Sequence, residues 1–261
     1  MIRLLAAAAL CAAAGCHAQK IPVPPAVPLS AAAVDAGPPK DSPQGLLAFA
    51  RARRERIARE EQEPAVDPSV IAADAQACAA EAHRSWASQF PEAAAAADSF
   101  QANARIGPSG AEALYLEAVC TATWARMQGF TPLIERRAEL TGALVRVAQL
   151  APDLDGAGAE RELGALYAAL PAYAGGELDE ARRHLLAAVE RAPQDARNHL
   201  VLARTVAVKA QDRELFREQL EIAAKSSDRR AAAQAEALLQ RENDLFGPAE
   251  AAQPIPGGPQ K

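Results

Sequence analysis

The chain carries four cysteines and four histidines, the side chains best suited to thiol, metal or acid–base chemistry, and their spacing decides what they can do. His83 follows Cys78 by five positions, which turns the two side chains to different faces of a helix. That argues against a metal pair or a thiolate–imidazole dyad. His184 and His199 fall in separate helical stretches among charged neighbours, a pattern that predicts surface histidines. No Gly-rich phosphate loop, G-x-S-x-G elbow or H-E-x-x-H run occurs in the sequence. An enzyme would need scattered residues to converge, so the reading is a non-enzymatic chain with no catalytic residue, metal site or cofactor. Cys78 and Cys120 each continue an inward apolar stripe. In an exported chain the expectation is a Cys78–Cys120 disulfide, with two buried free thiols as the alternative.

Export is read from the start of the chain. Met1-Ile2-Arg3 is positively charged, residues 4–14 form a short apolar run that includes Cys11, and Ala14-Gly15-Cys16 supplies a small-residue cleavage site. The run is too short for a bilayer, which needs about 20 residues. Ala13-Ala14-Gly15-Cys16 resembles the bacterial lipobox, apart from Ala13 where leucine is usual, and this implies acylation of Cys16 as the mature N-terminus. An ordinary cleaved signal is the alternative. His17, standing where aspartate would retain the protein at the inner membrane, favours the periplasmic leaflet of the outer membrane. Residues 16–42 hold Pro22, Pro24, Pro25, Pro28, Pro38 and Pro39 and almost no large apolar side chain. They read as a semi-rigid tether after a signal at 1–15.

The elements behind these residues are helical. Ser42-Pro43 caps a charged segment, 43–65, whose arginines are expected to pair with Glu55, Glu60 and Glu61 along a solvated helix or linker. Asp67-Pro68 opens a helix with the stripe Ile71, Ala75, Cys78, Ala82 and Trp86, ending at Phe90-Pro91. A shorter alanine-rich helix carries Phe100. Ser109 is expected to cap the next, with Leu116, Cys120, Trp124 and Met127 inward, and Thr131-Pro132 to start another. Both tryptophans read as core. Asp195, Asp212 and Asp228 are placed to cap three later helices, and residues 248–261 form a Pro/Gly-rich tail expected to be disordered.

Gly175-Gly176 followed by Ala181, Leu185, Ala188 and Pro193 has the spacing of the second half of a tetratricopeptide repeat. Leu140, Leu144, Val147 and Pro152 repeat it, and so, with other side-chain sizes, do Phe216, Leu220 and Ala223. The fold class expected for residues 66–247 is therefore all-α, a right-handed superhelix of tetratricopeptide-like antiparallel helix pairs forming an α-solenoid. Such arrays bind partners along a surface. If the first helix of each pair lines the concave face, the groove candidates are Leu166, Leu170, Tyr173, Arg197, Leu200 and Arg204. With 28 Lys plus Arg against 33 Asp plus Glu and a formal charge of −5, nothing invites nucleic acid.

Gly164-Ala165-Leu166, Pro171, Gly175-Gly176-Glu177, Ala181 and Leu185, then Ala203, Ala207-Val208, Gln211-Asp212-Arg213 and Phe216, together resemble the TatT family. These are T-components of tripartite ATP-independent periplasmic (TRAP) transporters. The resemblance implies an exported, lipid-anchored, all-helical protein of the bacterial envelope that assists a periplasmic solute-binding protein and handles an apolar ligand. It leaves a homo-oligomer open. Glu177 stands where aspartate is commoner, and the helix before Pro171 lacks the tryptophan, glycine and tyrosine of a regular repeat. The alternative function is a scaffold lipoprotein of envelope assembly that grips another protein through the same groove.

Overall fold

A computed structural model describes residues 41–61, 63 and 65–247 of the chain. The predicted signal, Cys16, nearly all of the tether and the 248–261 tail lie outside the described residues. The chain forms α1 (Pro43–Glu60), α2 (Pro68–Gln89), α3 (Pro91–Ala94), α4 (Ser99–Arg105), α5 (Ala111–Gln128) and α6 (Phe130–Leu150). Then come α7 (Gly158–Ala169), α8 (Leu178–Arg191) and α9 (Ala196–Leu202), which runs through a π-helical turn (Ala203–Ala207) into α10 (Val208–Ala210). The last elements are α11 (Arg213–Ala224), α12 (Arg229–Gln240) and α13 (Glu242–Phe246). The fold is all-α, and no strand occurs among the described residues.

The helix starts follow from short side-chain caps. Ser42 accepts from the Gly45 N–H at 3.1 Å, Asp67 from Ser69 at 2.8 Å, and Asp98 from Gln101 at 2.8 Å. Asp195, Asp212 and Asp228 do the same for Arg197, Leu215 and Arg230, each at 3.0 Å. Each cap satisfies a donor that the first turn would otherwise leave unpaired. Ser109 does not cap α5: it lies inside a 3₁₀ turn, Pro108–Gly110, and α5 begins without a side-chain cap. Nor does Thr131 start α6. Gly129, at φ 108°, a value open to glycine, reverses the chain so tightly that α6 begins at Phe130.

Packing runs mainly between chain neighbours: α1 on α2, α5 on α6, α6 on α7, α7 on α8, α11 on α12. α5 returns to α2, while α3 and α4 loop aside and α4 lies against α6. Ala181, Leu185 and Ala188 are fully buried, as their spacing requires. Opposite them Gly164 lets α7 approach α8 so closely that a Cβ there would sit 2.5 Å from Leu185 Cγ and 2.9 Å from the Ala181 carbonyl. This is the small-against-large contact expected of a tetratricopeptide-like pair. Further along, Phe216 is fully buried and meets Phe246 edge-on at 5.0 Å.

Further expectations need correction. The 43–65 segment is not a solvated helix or linker apart from the core, because α1 buries Leu46, Ala50 and Ile57 against α2. Its arginines reach mainly across to other helices, although Arg54 lies 3.9 Å from Glu61 along the helix, as the sequence predicts. Arg51 pairs with Glu112, and Arg53 bonds Glu81 at 2.9 Å and the fully buried Asp74 at 3.0 Å. Arg56 also binds Asp74, and its approach to Glu60 is only 3.8 Å. A buried carboxylate must be paired, and Asp74 is what draws these arginines inward. Cys78 and Cys120, also buried here, are joined in a disulfide with Cα atoms 5.9 Å apart, tying α2 to α5.

The histidines are the remaining corrections. His184 is 7% exposed, its Nδ1 2.6 Å from Glu160 Oε2 and its ring stacked on Tyr167. His199 is 3% exposed, lodged between Gln219 and the Pro193 carbonyl. Charged sequence neighbours misled because on a helix the adjacent residues face elsewhere. Trp86 is core as expected, and Trp124 is partly buried.

Candidate functional site

The end of α5, the start of α6, the outer side of α7 and the π-helical turn enclose an open groove of about 440 Å³. Two local features create it. The abrupt Gly129 reversal leaves Phe130, the first residue of α6, 65% exposed beside the groove. Between α9 and α10, the π-helical turn widens the helix where it meets α7 and carries Arg204 and Thr205 to the rim. Thr205 Oγ1 donates to the Val201 carbonyl at 2.5 Å, closing part of the hydrogen bonding that a π turn disturbs.

The floor is apolar: Leu133 with Ala165, Ala168 and Ala169. Alanines on α7 keep it shallow and wide. Behind it a narrow crevice lined by Leu140, Leu144 and Leu166 continues towards the core. The rim is cationic. Lys209 Nζ donates to the Ala168 carbonyl, and Arg126 Nη2 to Thr123 Oγ1 at 3.1 Å. Arg204 has no hydrogen-bond or ion-pair partner among the described residues. Arg204 is exposed at the rim, and the helices crowded around its base desolvate the guanidinium enough to push it below the ordinary value; Glu162 opposes that shift and the nearby charge of Arg126 adds to it. An apolar trough with cations at its edge can hold an apolar side chain or small molecule, fixed by a hydrogen-bond acceptor at one end.

Of the six residues expected in a groove, only Arg204 lines this one. Leu166, Leu170 and Leu200 are core side chains, 6%, 3% and 4% exposed. The 3.6-residue stripe marks a side chain as inward, and in a helix pair inward means the neighbouring helix before it means a ligand. Tyr173 is 88% exposed on a 3₁₀ turn, Ala172–Ala174, and Arg197 is tied to Asp155 at 2.7 Å and Asp195 at 2.5 Å. The sequence reading missed Phe130 and Arg126. The signal for them was Gly129: a glycine between two strong helical stripes leaves the next large apolar residue at a corner with no helix to cover it.

Matching known families to the chain aligns TRAP transporter T-component with residues 58–246, from within α1 to the end of α13. The chain belongs to the TRAP transporter T-component family. A search of curated proteins finds no match. As a T-component the chain is an accessory part of a TRAP transport system, and the matched span contains every residue of the groove. Among the described residues no helix is long and apolar enough to cross a membrane.

Proposed function

We propose that this T-component is a periplasmic accessory of a TRAP-type uptake system, held to the envelope by lipid on Cys16, and that it receives the solute-binding protein or its apolar cargo in the Phe130–Arg204 groove. The observation that carries the reading is an exposed phenylalanine over an apolar floor, inside the span that matches the family. Exposed large aromatics beside a concave apolar surface are the usual anchors of recognition. The packing of helices on their chain neighbours supports a tetratricopeptide-like superhelix, in which a groove between pairs is the natural binding surface. The role is binding rather than catalysis. The lipobox-like sequence at Cys16 and the proline-rich stretch after it support a tethered protein, and His17 supports the periplasmic leaflet of the outer membrane.

The test is capture of the acylated protein from envelope extracts with mass spectrometry of what co-purifies. The reading expects a TRAP solute-binding protein with the native chain and much less with Phe130→Ala. Recovery of barrel-assembly or secretin proteins in its place would contradict it. Labelled palmitate should enter the native chain and not Cys16→Ser; equal labelling, or none, would remove the anchor from the account.

A further inference from the structure

A second cleft, of about 260 Å³ and separate from the groove, opens between α2, α4, α5 and α6. Its walls are apolar, formed by Trp86, Leu114, Leu140 and several alanines. Its polar lining is mainly acidic, with His83, Ser99, Thr121 and Asn103 beside the carboxylates. Asp98, Glu117 and Glu139 line it, and no lysine or arginine does. Asp98 is occupied in capping α4, and Glu139 is held by Arg136 at 2.8 Å. Glu117 accepts from the Trp86 indole and lies 3.0 Å from His83 Nδ1. An ionised carboxylate offers about four acceptor positions, so Glu117 keeps capacity for another donor.

The feature that points to a ligand is Asn103. It sits on α4, only 8% exposed, and lines the cleft. Its side-chain amide makes no hydrogen bond among the described residues. Gly142 opposite leaves it room, since a Cβ there would come within 3.3 Å of Asn103 Nδ2. With no partner in the surrounding helices, the amide keeps its hydrogen-bonding capacity for whatever occupies the cleft. A donor inside the cleft supplies what both Asn103 and Glu117 lack.

We propose that the cleft binds a small apolar primary amine, its hydrocarbon body against Trp86, Leu114 and Leu140, and its ammonium donating to Glu117 and to the Asn103 carbonyl oxygen. Charge favours an ammonium head group, because three carboxylates line the cleft against the single imidazole of His83, and Arg136, which holds Glu139, is not part of the lining. Size selects the body: the volume suits one aromatic ring or a short branched chain. This proposal is independent of the Phe130–Arg204 groove.

Calorimetric titration of the full chain with phenylethylamine, 2-phenylethanol and 3-phenylpropanoate tests it. The amine should bind at least about tenfold more tightly than the alcohol, and the acid should not bind measurably. Asn103→Leu, which matches the shape and removes the amide, and Glu117→Gln should each weaken the amine by about tenfold, with Phe130→Ala leaving it unchanged. Asn103→Leu should also melt no lower than the native chain, as an unpartnered amide predicts and a structural one does not. An alcohol that binds as well as the amine, no binding of any probe, or full affinity in both cleft variants would overturn the proposal.

Discussion

Arg161 on α7 donates through Nη1 to the Asn198 side-chain oxygen on α9 at 3.0 Å, with both residues out of solvent. Asn198 in turn donates to the carbonyls of Ala188, Gly156 and Ala192 at 3.0, 3.1 and 3.3 Å, and Arg161 Nη2 reaches Asp155 Oδ2 at 2.6 Å. One amide thereby ties the end of α8, the loop before α7 and the helix that carries Arg204. Asn198→Ala should destabilise the chain by about 1–3 kcal/mol, since it takes one buried partner from the Arg161 guanidinium and one from each of three carbonyls at once. Urea unfolding should show a lower midpoint with an unchanged slope.

Acid should unfold this same region. Burial pushes the Asp155 carboxyl upward, but the charges of Arg161 and Arg197 and the hydrogen bonds from Tyr115 and Arg197 outweigh it, so its pKa lies below the ordinary aspartate value. A lowered folded pKa contributes stability that is present above the unfolded value and lost as pH falls through the folded one. Melting temperature followed from about pH 7 to pH 2 should fall steeply below about pH 4, and Asp155→Asn should flatten part of that slope, with Asp195 and Glu160, also lowered, contributing to what remains.

Gly164 measures how closely α7 and α8 are packed. Gly164→Ala places a methyl group against the Ala181 carbonyl, a backbone atom that cannot swing aside, and against Leu185 Cγ. The better helix propensity of alanine, about 1 kcal/mol, works in the opposite direction. Net destabilisation of about 1–2 kcal/mol is expected from overpacking, read by thermal melting. A stabilised variant would mean that the two helices do not approach as described.

The disulfide should matter to the α1–α2–α5 end of the molecule. Cys78 and Cys120 are separated by 42 positions, for which loop closure in the unfolded chain gives about 4 kcal/mol at most. Alkylation of the unfolded, unreduced chain should leave both residues unmodified, and reductant should lower the melting temperature. Two free thiols by mass would contradict the bridge.

Much of the fold was legible because it depends on local chemistry. Asp67, Asp195, Asp212 and Asp228 each bond the first turn that follows them, and Ala181, Leu185 and Ala188 are buried where their spacing puts them. What the sequence hid was the choice of partner. Leu166 and Leu200 carry an inward stripe whether they face a helix or a ligand, and Arg53 looks solvated until Asp74, on another helix, draws it in. The groove depends on a π-helical turn at Ala203–Ala207 that no residue type announces. Asn103 was equally silent, since a lone asparagine in an alanine-rich helix is ordinary until its surroundings are known.

The central claim is that the Phe130–Arg204 groove is where this T-component meets its transport partner. A photo-crosslinking amino acid placed at Phe130 in intact cells, with a second at Ile222, an exposed residue of α11 outside the groove, tests that directly. The account predicts that light joins the Phe130 position, and not the Ile222 position, to a TRAP solute-binding protein or to a small apolar molecule. Equal capture from both positions, or a Phe130 adduct with an envelope-assembly protein, would contradict it.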